Sequence, residues 1–293
     1  MKKFKGLGVA LITPFINDKV NYKSLKELLN FHLENKTDFL VILGTTAETP
    51  TLSYKERKKI IKFTVKHMKG IIPIMVGVGS NNTKETIKMA NIAQRLGADG
   101  LLVVTPYYNR PPQRGLIEHF TQVAYHTNLP VILYNVPSRT GVDLSVSSIE
   151  KLTKINNIIG IKEASSDLNK IKEIKDVVSP EFIILTGNDE YLAGALKLGA
   201  SGTISVTANI IPNIMVKQIN DFNKGIDITN DFNHYLKLHQ SMFLESNPVM
   251  VKQALNLMGF NVGSPRLPLV KTTNDLALKL KDILNEYGLI KND

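Results

Sequence analysis

The stretch Ile158-Ile159-Gly160-Ile161-Lys162-Glu163-Ala164 reads as a short apolar strand interrupted by one cation. A parallel strand buried on both faces is a near-continuous hydrophobic run. Taking an ammonium out of water is costly unless it is paired or loses its proton. A lysine in such a strand is the raw material of Schiff-base catalysis, in which the amine condenses with a substrate carbonyl and turns it into an electron sink. The competing reading is a strand-end lysine that snorkels to solvent or pairs with Glu163.

Seven further stretches repeat the pattern of an apolar, β-branched strand, a loop with Gly, Thr, Pro or Asn, and an amphipathic helix. They are Gly8 to Phe15, Phe39 to Thr46, Ile71 to Gly79, Gly100 to Tyr107, Pro130 to Val136, Phe182 to Asp189 and Gly202 to Asn209. Their spacing is that of one strand plus a returning helix. Leu96-Gly97-Ala98-Asp99-Gly100 and Leu198-Gly199-Ala200-Ser201-Gly202 look alike because each ends a helix on glycine and re-enters a strand. Eight such units predict an α/β fold, a (β/α)8 TIM barrel. A doubly wound sheet is disfavoured because no GxGxxG follows an early strand, and Gly77-Val78-Gly79-Ser80 lacks the lysine of a phosphate loop. After Asn209 the chain reads as helical, with breaks near Gly225, Asn247-Pro248 and Gly259 to Pro268. The expected division is a catalytic barrel over 1–224 and a small C-terminal helical appendage over 225–293.

With 293 residues, 43% hydrophobic and 21% charged, the composition is that of an ordinary globular protein. No apolar run is long enough to span a bilayer, and Met1-Lys2-Lys3-Phe4-Lys5 lacks the apolar core of a signal peptide, so a cytoplasmic location is expected. There are no cysteines, which removes disulfides and a thiol nucleophile. The six histidines lack ligand spacing, so no metal site is expected. The net charge of +10 is spread over helix faces such as Tyr54-Lys55-Glu56-Arg57-Lys58-Lys59 without interleaved aromatics. That argues against nucleic acid and is compatible with anionic substrates.

Barrel active sites lie at the C-terminal ends of the strands. Collected there are Thr45 and Thr46, the tyrosines Tyr107 and Tyr108, Tyr134, Arg139, Lys162 and the turn Gly187-Asn188-Asp189. Tyr134 falls one unit before Lys162, where its phenol could relay protons; otherwise it is rim packing. Thr45 and Thr46 offer hydroxyls and N–H groups, or serve only as helix-start residues. Arg139 presents a planar fork suited to a carboxylate, or a surface ion pair. Two adjacent tyrosines cannot both face one pocket, so one of Tyr107 and Tyr108 is expected to serve a neighbouring subunit.

The segments Gly44-Thr45-Thr46-Ala47-Glu48, Thr105-Pro106-Tyr107-Tyr108-Asn109-Arg110-Pro111, Tyr134-Asn135-Val136-Pro137-Ser138-Arg139-Thr140-Gly141, Gly160-Ile161-Lys162-Glu163-Ala164 and Gly202-Thr203-Ile204-Ser205-Val206 together resemble the dihydrodipicolinate synthase family. The likeness runs along nearly the whole chain. It implies a Schiff-base-forming lyase that condenses pyruvate with L-aspartate 4-semialdehyde, the step that opens diaminopimelate and lysine biosynthesis, without cofactor. By the same likeness Lys162 forms the Schiff base and Tyr134 relays protons with Thr46. Tyr108 reaches in from the neighbouring subunit of a homodimer or homotetramer, and Arg139 binds the semialdehyde carboxylate. Thr45, Gly187 and Ile204 line the pyruvate site.

Two departures from the family pattern stand out. Ala47 and Thr49 replace Gly and Ser after strand two, and a methyl at 47 needs a negative backbone angle. In the cleft where lysine-inhibited members hold their effector, Asn81, Glu85 and Tyr107 match, beside Thr49 and Pro50, while Tyr54 and Arg57 replace histidines. The fixed cation at Arg57 predicts weak or absent inhibition by L-lysine. Two rival readings are a sister lyase on the same scaffold, such as N-acetylneuraminate lyase, and a non-catalytic barrel.

Overall fold

Alternation along each strand decides which residues fill the barrel and which face the helices. In the computed structural model, which describes residues 3–290, Phe39 and Val41, Ile132 and Tyr134, and Ile183 and Leu185 pack in one inner cluster. Their neighbours Leu40, Ile42, Val131, Leu133 and Ile184 join a larger outer core with the apolar faces of the helices. The start Met1-Lys2 and the last three residues of the expected appendage lie outside the described residues.

Eight parallel strands close the barrel: β1 Gly6–Ala10, β2 Phe39–Ile42, β3 Ile74–Gly77, β4 Gly100–Val104, β5 Val131–Asn135, β6 Ile158–Glu163, β7 Ile183–Thr186 and β8 Gly202–Ser205. Each pairs with the next, and β8 pairs with β1 through Gly6 and Gly202. Gly202 has φ 145, and a side chain there would run into the backbone of Gly6, so the closing seam needs a glycine.

Around the sheet lie α1 Tyr22–Glu34, α2 Tyr54–Met68, α3 Thr83–Arg95, α4 Gln113–Tyr125, α5 Val146–Leu152, α6 Asn169–Val177, α7 Leu192–Lys197 and α8 Pro212–Asn223. Helix α2 begins with a capping box, Ser53 accepting from the Glu56 N–H while the Glu56 carboxylate accepts from the Ser53 N–H at 2.8 Å.

The strands are shorter than expected at their C-terminal ends, because the Thr, Pro and Asn residues there leave the ladder for the loops. The first expected strand, Gly8 to Phe15, is corrected. Strand β1 ends at Ala10, and Phe15–Ile16 pairs instead with Lys19–Val20 in a hairpin. Asn17 and Asp18, at φ 47 and 58, form its left-handed turn.

Past Gly225, at φ 82, come α9 Thr229–His234, α10 Leu236–Ser241, α11 Val249–Leu257 and α12 Asn274–Glu286. This C-terminal part is fastened to the loop after β2. The Lys252 ammonium meets the Glu48 carboxylate at 2.5 Å, both side chains being buried. Glu48 also accepts from the Arg266 N–H at 2.7 Å, and the Arg266 guanidinium forks onto Glu56. Among the described residues no helix is long and apolar enough to cross a membrane.

Candidate active site

Lys162 and Glu163 are neighbours on β6 and so point to opposite sides of the strand. The outward Glu163 carboxylate accepts from Asn135 Nδ2 at 2.9 and 3.1 Å and from the Ser165 N–H at 2.7 Å, and lies 3.7 Å from Lys170 Nζ. Burial raises the Glu163 pKa, against the pull of the Lys170 cation. The alternative in which Lys162 pairs with Glu163 is thereby excluded. Lys162 turns inward and is 5% exposed. Its Nζ stands 4.5 Å from the centroid of the Tyr134 ring, on the adjacent strand.

Gly187, just past the end of β7, makes room for that lysine. A Cβ at this position would stand 2.7 Å from Lys162 Cε and 2.6 Å from Ala164 Cβ. Above these residues opens a cavity of about 180 Å³, and Lys162, Tyr134, Thr45, Thr46, Arg139, Gly187 and Ile204 all line it. Thr45 and Thr46 sit on a single helical turn, Thr45–Ala47, that follows β2. The turn is bracketed by Leu43 and Glu48 in left-handed backbone, at φ 56 and 55. Ala47 has no positive φ, so its methyl meets the condition set by the sequence, and its carbonyl accepts from Thr13 Oγ1 at 2.8 Å. Arg139 lies exposed on the helical turn Pro137–Thr140 at the cavity rim.

A nucleophilic lysine, a phenol, two hydroxyls and a guanidinium converging at the C-terminal mouth of a barrel can form and turn over a Schiff base. The sequence model of the Dihydrodipicolinate synthetase family matches residues 3–287. The chain belongs to that family. It is 46% identical over 293 residues to 4-hydroxy-tetrahydrodipicolinate synthase 1 of Clostridium acetobutylicum, covering 99% of this chain and 100% of the relative. A solved dihydrodipicolinate synthase from Aquifex aeolicus superposes with TM-score 0.96 at 40% identity, covering 99% of this chain and 100% of that one. The chloride-inhibited enzyme of Acinetobacter baumannii, solved with pyruvate, superposes with TM-score 0.95 at 40% identity, over 98% and 99% of the two chains.

Within this chain, Tyr108 is not brought to the cavity. It is 89% exposed and held at φ 71, a costly conformation for a tyrosine. Tyr107, Thr49, Pro50 and Arg57 line an adjoining cavity of about 410 Å³, which also touches Tyr134 and Arg139. Asn81, Glu85 and Tyr54 lie off its wall: Glu85 pairs with Lys88 at 3.7 Å, and the Tyr54 ring stacks under Lys58 and Lys88. The Arg57 guanidinium is anchored on the loop after β2, with Nε donating to Leu52 O at 3.0 Å and Nη2 to Thr49 O at 2.8 Å.

The sequence reading missed Phe243 and Asn247, contributed to the cavity by the C-terminal part. Asn247 donates through Nδ2 to Thr46 Oγ1 at 2.9 Å across 201 residues of chain. The only local signal was the Asn247-Pro248 helix break. Among the described residues no three His, Cys, Asp or Glu side chains are grouped to hold a metal ion.

Proposed function

We propose that Lys162 carries the reaction of this Schiff-base-forming lyase as the nucleophile toward pyruvate. The activity is the condensation of pyruvate with L-aspartate 4-semialdehyde that leads to diaminopimelate and lysine. The observation that carries the residue assignment is the Lys162 amine inside the cavity, beside Tyr134 and over Gly187.

The amine adds to the keto carbon of pyruvate, and the carbinolamine loses water to give an iminium. Positive charge on nitrogen makes the methyl group acidic, so loss of one proton yields an enamine. The enamine carbon attacks the aldehyde carbon, and the new alkoxide takes up a proton. The amino group of the acceptor then adds to the iminium carbon, closing the ring and expelling Lys162. Tyr134, with the hydroxyl of Thr46, moves the protons of these steps. The Thr45–Thr46 turn, Gly187 and Ile204 hold the keto acid, and the Arg139 fork takes the acceptor carboxylate.

The catalytic unit is proposed to be a dimer, paired further into a tetramer, in which Tyr108 of one protomer completes the site of its partner. An exposed aromatic held at positive φ supports that reading. The division at residue 225 and a cytoplasmic location are proposed with it. Turnover of pyruvate and semialdehyde by the wild type, with loss in Lys162→Ala, tests the assignment; full activity in that variant would end it.

A further inference from the structure

We infer that Asn247 is a positioning residue that sets the polarity of the Thr46 hydroxyl. The inference rests on the reading of Thr46 as a hydroxyl of the pyruvate site. A threonine hydroxyl has one proton to give and two lone pairs to offer. Asn247 Nδ2 fills one lone pair of Thr46 Oγ1 at 2.9 Å, so the threonine proton is directed elsewhere, and Thr46 lines the cavity that holds Lys162. Thr46 is thereby set as a donor into the cavity that takes the keto acid.

The arrangement has a cost that a purely structural amide would not bear. Asn247 is 6% exposed, and its Oδ1 is buried without a hydrogen-bond partner. Buried polar groups are normally paired, and the exceptions gather where function requires them. The same C-terminal segment anchors the turn a second time, since Lys252 of α11 pairs with Glu48, two residues beyond Thr46. The amide is therefore held in register with the turn by an independent buried contact.

The test compares the pyruvate KM of Asn247→Asp, Asn247→Ala and Asn247→Leu, each also made in a Thr46→Val background, with folding checked by thermal melts. An ionised aspartate cannot donate, so it draws the Thr46 proton onto itself. Asn247→Asp, although isosteric, is expected to raise the pyruvate KM at least tenfold beyond the two apolar variants. Those two release the lone pair without claiming the proton, and are expected to raise KM about threefold to tenfold. In the Thr46→Val background the difference between Asp and Ala is expected to vanish.

An Ala or Leu variant indistinguishable from wild type overturns the inference, as does an aspartate penalty that persists undiminished without the Thr46 hydroxyl, which marks plain charge repulsion. If Thr46→Val alone leaves pyruvate binding unchanged, the reading of Thr46 in the pyruvate site fails instead.

Discussion

Tyr134 and Lys162 are register partners on adjacent parallel strands, and the lysine nitrogen stands 4.5 Å from the centre of the tyrosine ring. The ring packs the amine while its hydroxyl is the group suited to proton transfer. Tyr134→Phe separates the two roles. Borohydride is expected still to trap the pyruvate adduct, while kcat falls about 100-fold to 10,000-fold, the range for losing a positioned acid-base group. Unchanged kcat in a steady-state assay would remove Tyr134 from the relay.

Arg139 is at the cavity rim and is proposed to take the acceptor carboxylate rather than pyruvate. Arg139→Ala is expected to lower kcat/KM for the semialdehyde by about 10-fold to 100-fold, as befits a lost charged hydrogen bond, with the pyruvate KM little changed. An equal rise in both KM values would contradict its assignment to the acceptor.

The ion pair that ties the C-terminal part to α2 gives a pH signature. Hydrogen bonding from Arg266 holds the Glu56 carboxyl down to about 2, from an ordinary 4.5. A depressed carboxylate contributes stability that is fully present above its unfolded value and is lost as pH falls through the folded one. After solvent screening the contribution is about 1 kcal/mol. Glu56→Gln should lower the melting temperature by about 2 °C at pH 7. The gap should narrow from pH 4.5 downward; a gap independent of pH between 7 and 3 would contradict the pairing.

Arg57 fixes a cation on the wall of the adjoining cavity by donating to Leu52 O and Thr49 O. It should repel the ammonium groups of L-lysine. Initial rates with added L-lysine are expected to show an inhibition constant above about 1 mM, the affinity of a weak site. Tight inhibition would show that the cation is outweighed.

The barrel and most of the cavity lining are legible because the information is local. Near-continuous apolar strands at βα spacing place Tyr134 and Lys162 on neighbouring strands, and the fold rule assigns their C-terminal ends to chemistry. Phe15 was misread as the end of the first strand because its apolar neighbours hide the left-handed Asn17-Asp18 turn. The contacts of Asn247, Lys252 and Arg266 are not legible in the sequence. Each meets its partner across some two hundred residues, and no spacing or periodicity marks such a contact. Tyr108 is exposed in the single chain, and the proposed pairing between chains is of a kind that one chain's sequence does not encode locally.

Reduction of the protein with borohydride in the presence of pyruvate, followed by peptide mass spectrometry, locates the Schiff-base lysine. Lys252 is a built-in control. It too is buried, and burial pushes its amine down to about 8 against the pull of Glu48, yet it lies outside the cavity that holds Lys162. The adduct is predicted on Lys162 alone. An adduct on Lys252 with Lys162 unmodified, or no adduct at all, would contradict Lys162 as the nucleophile.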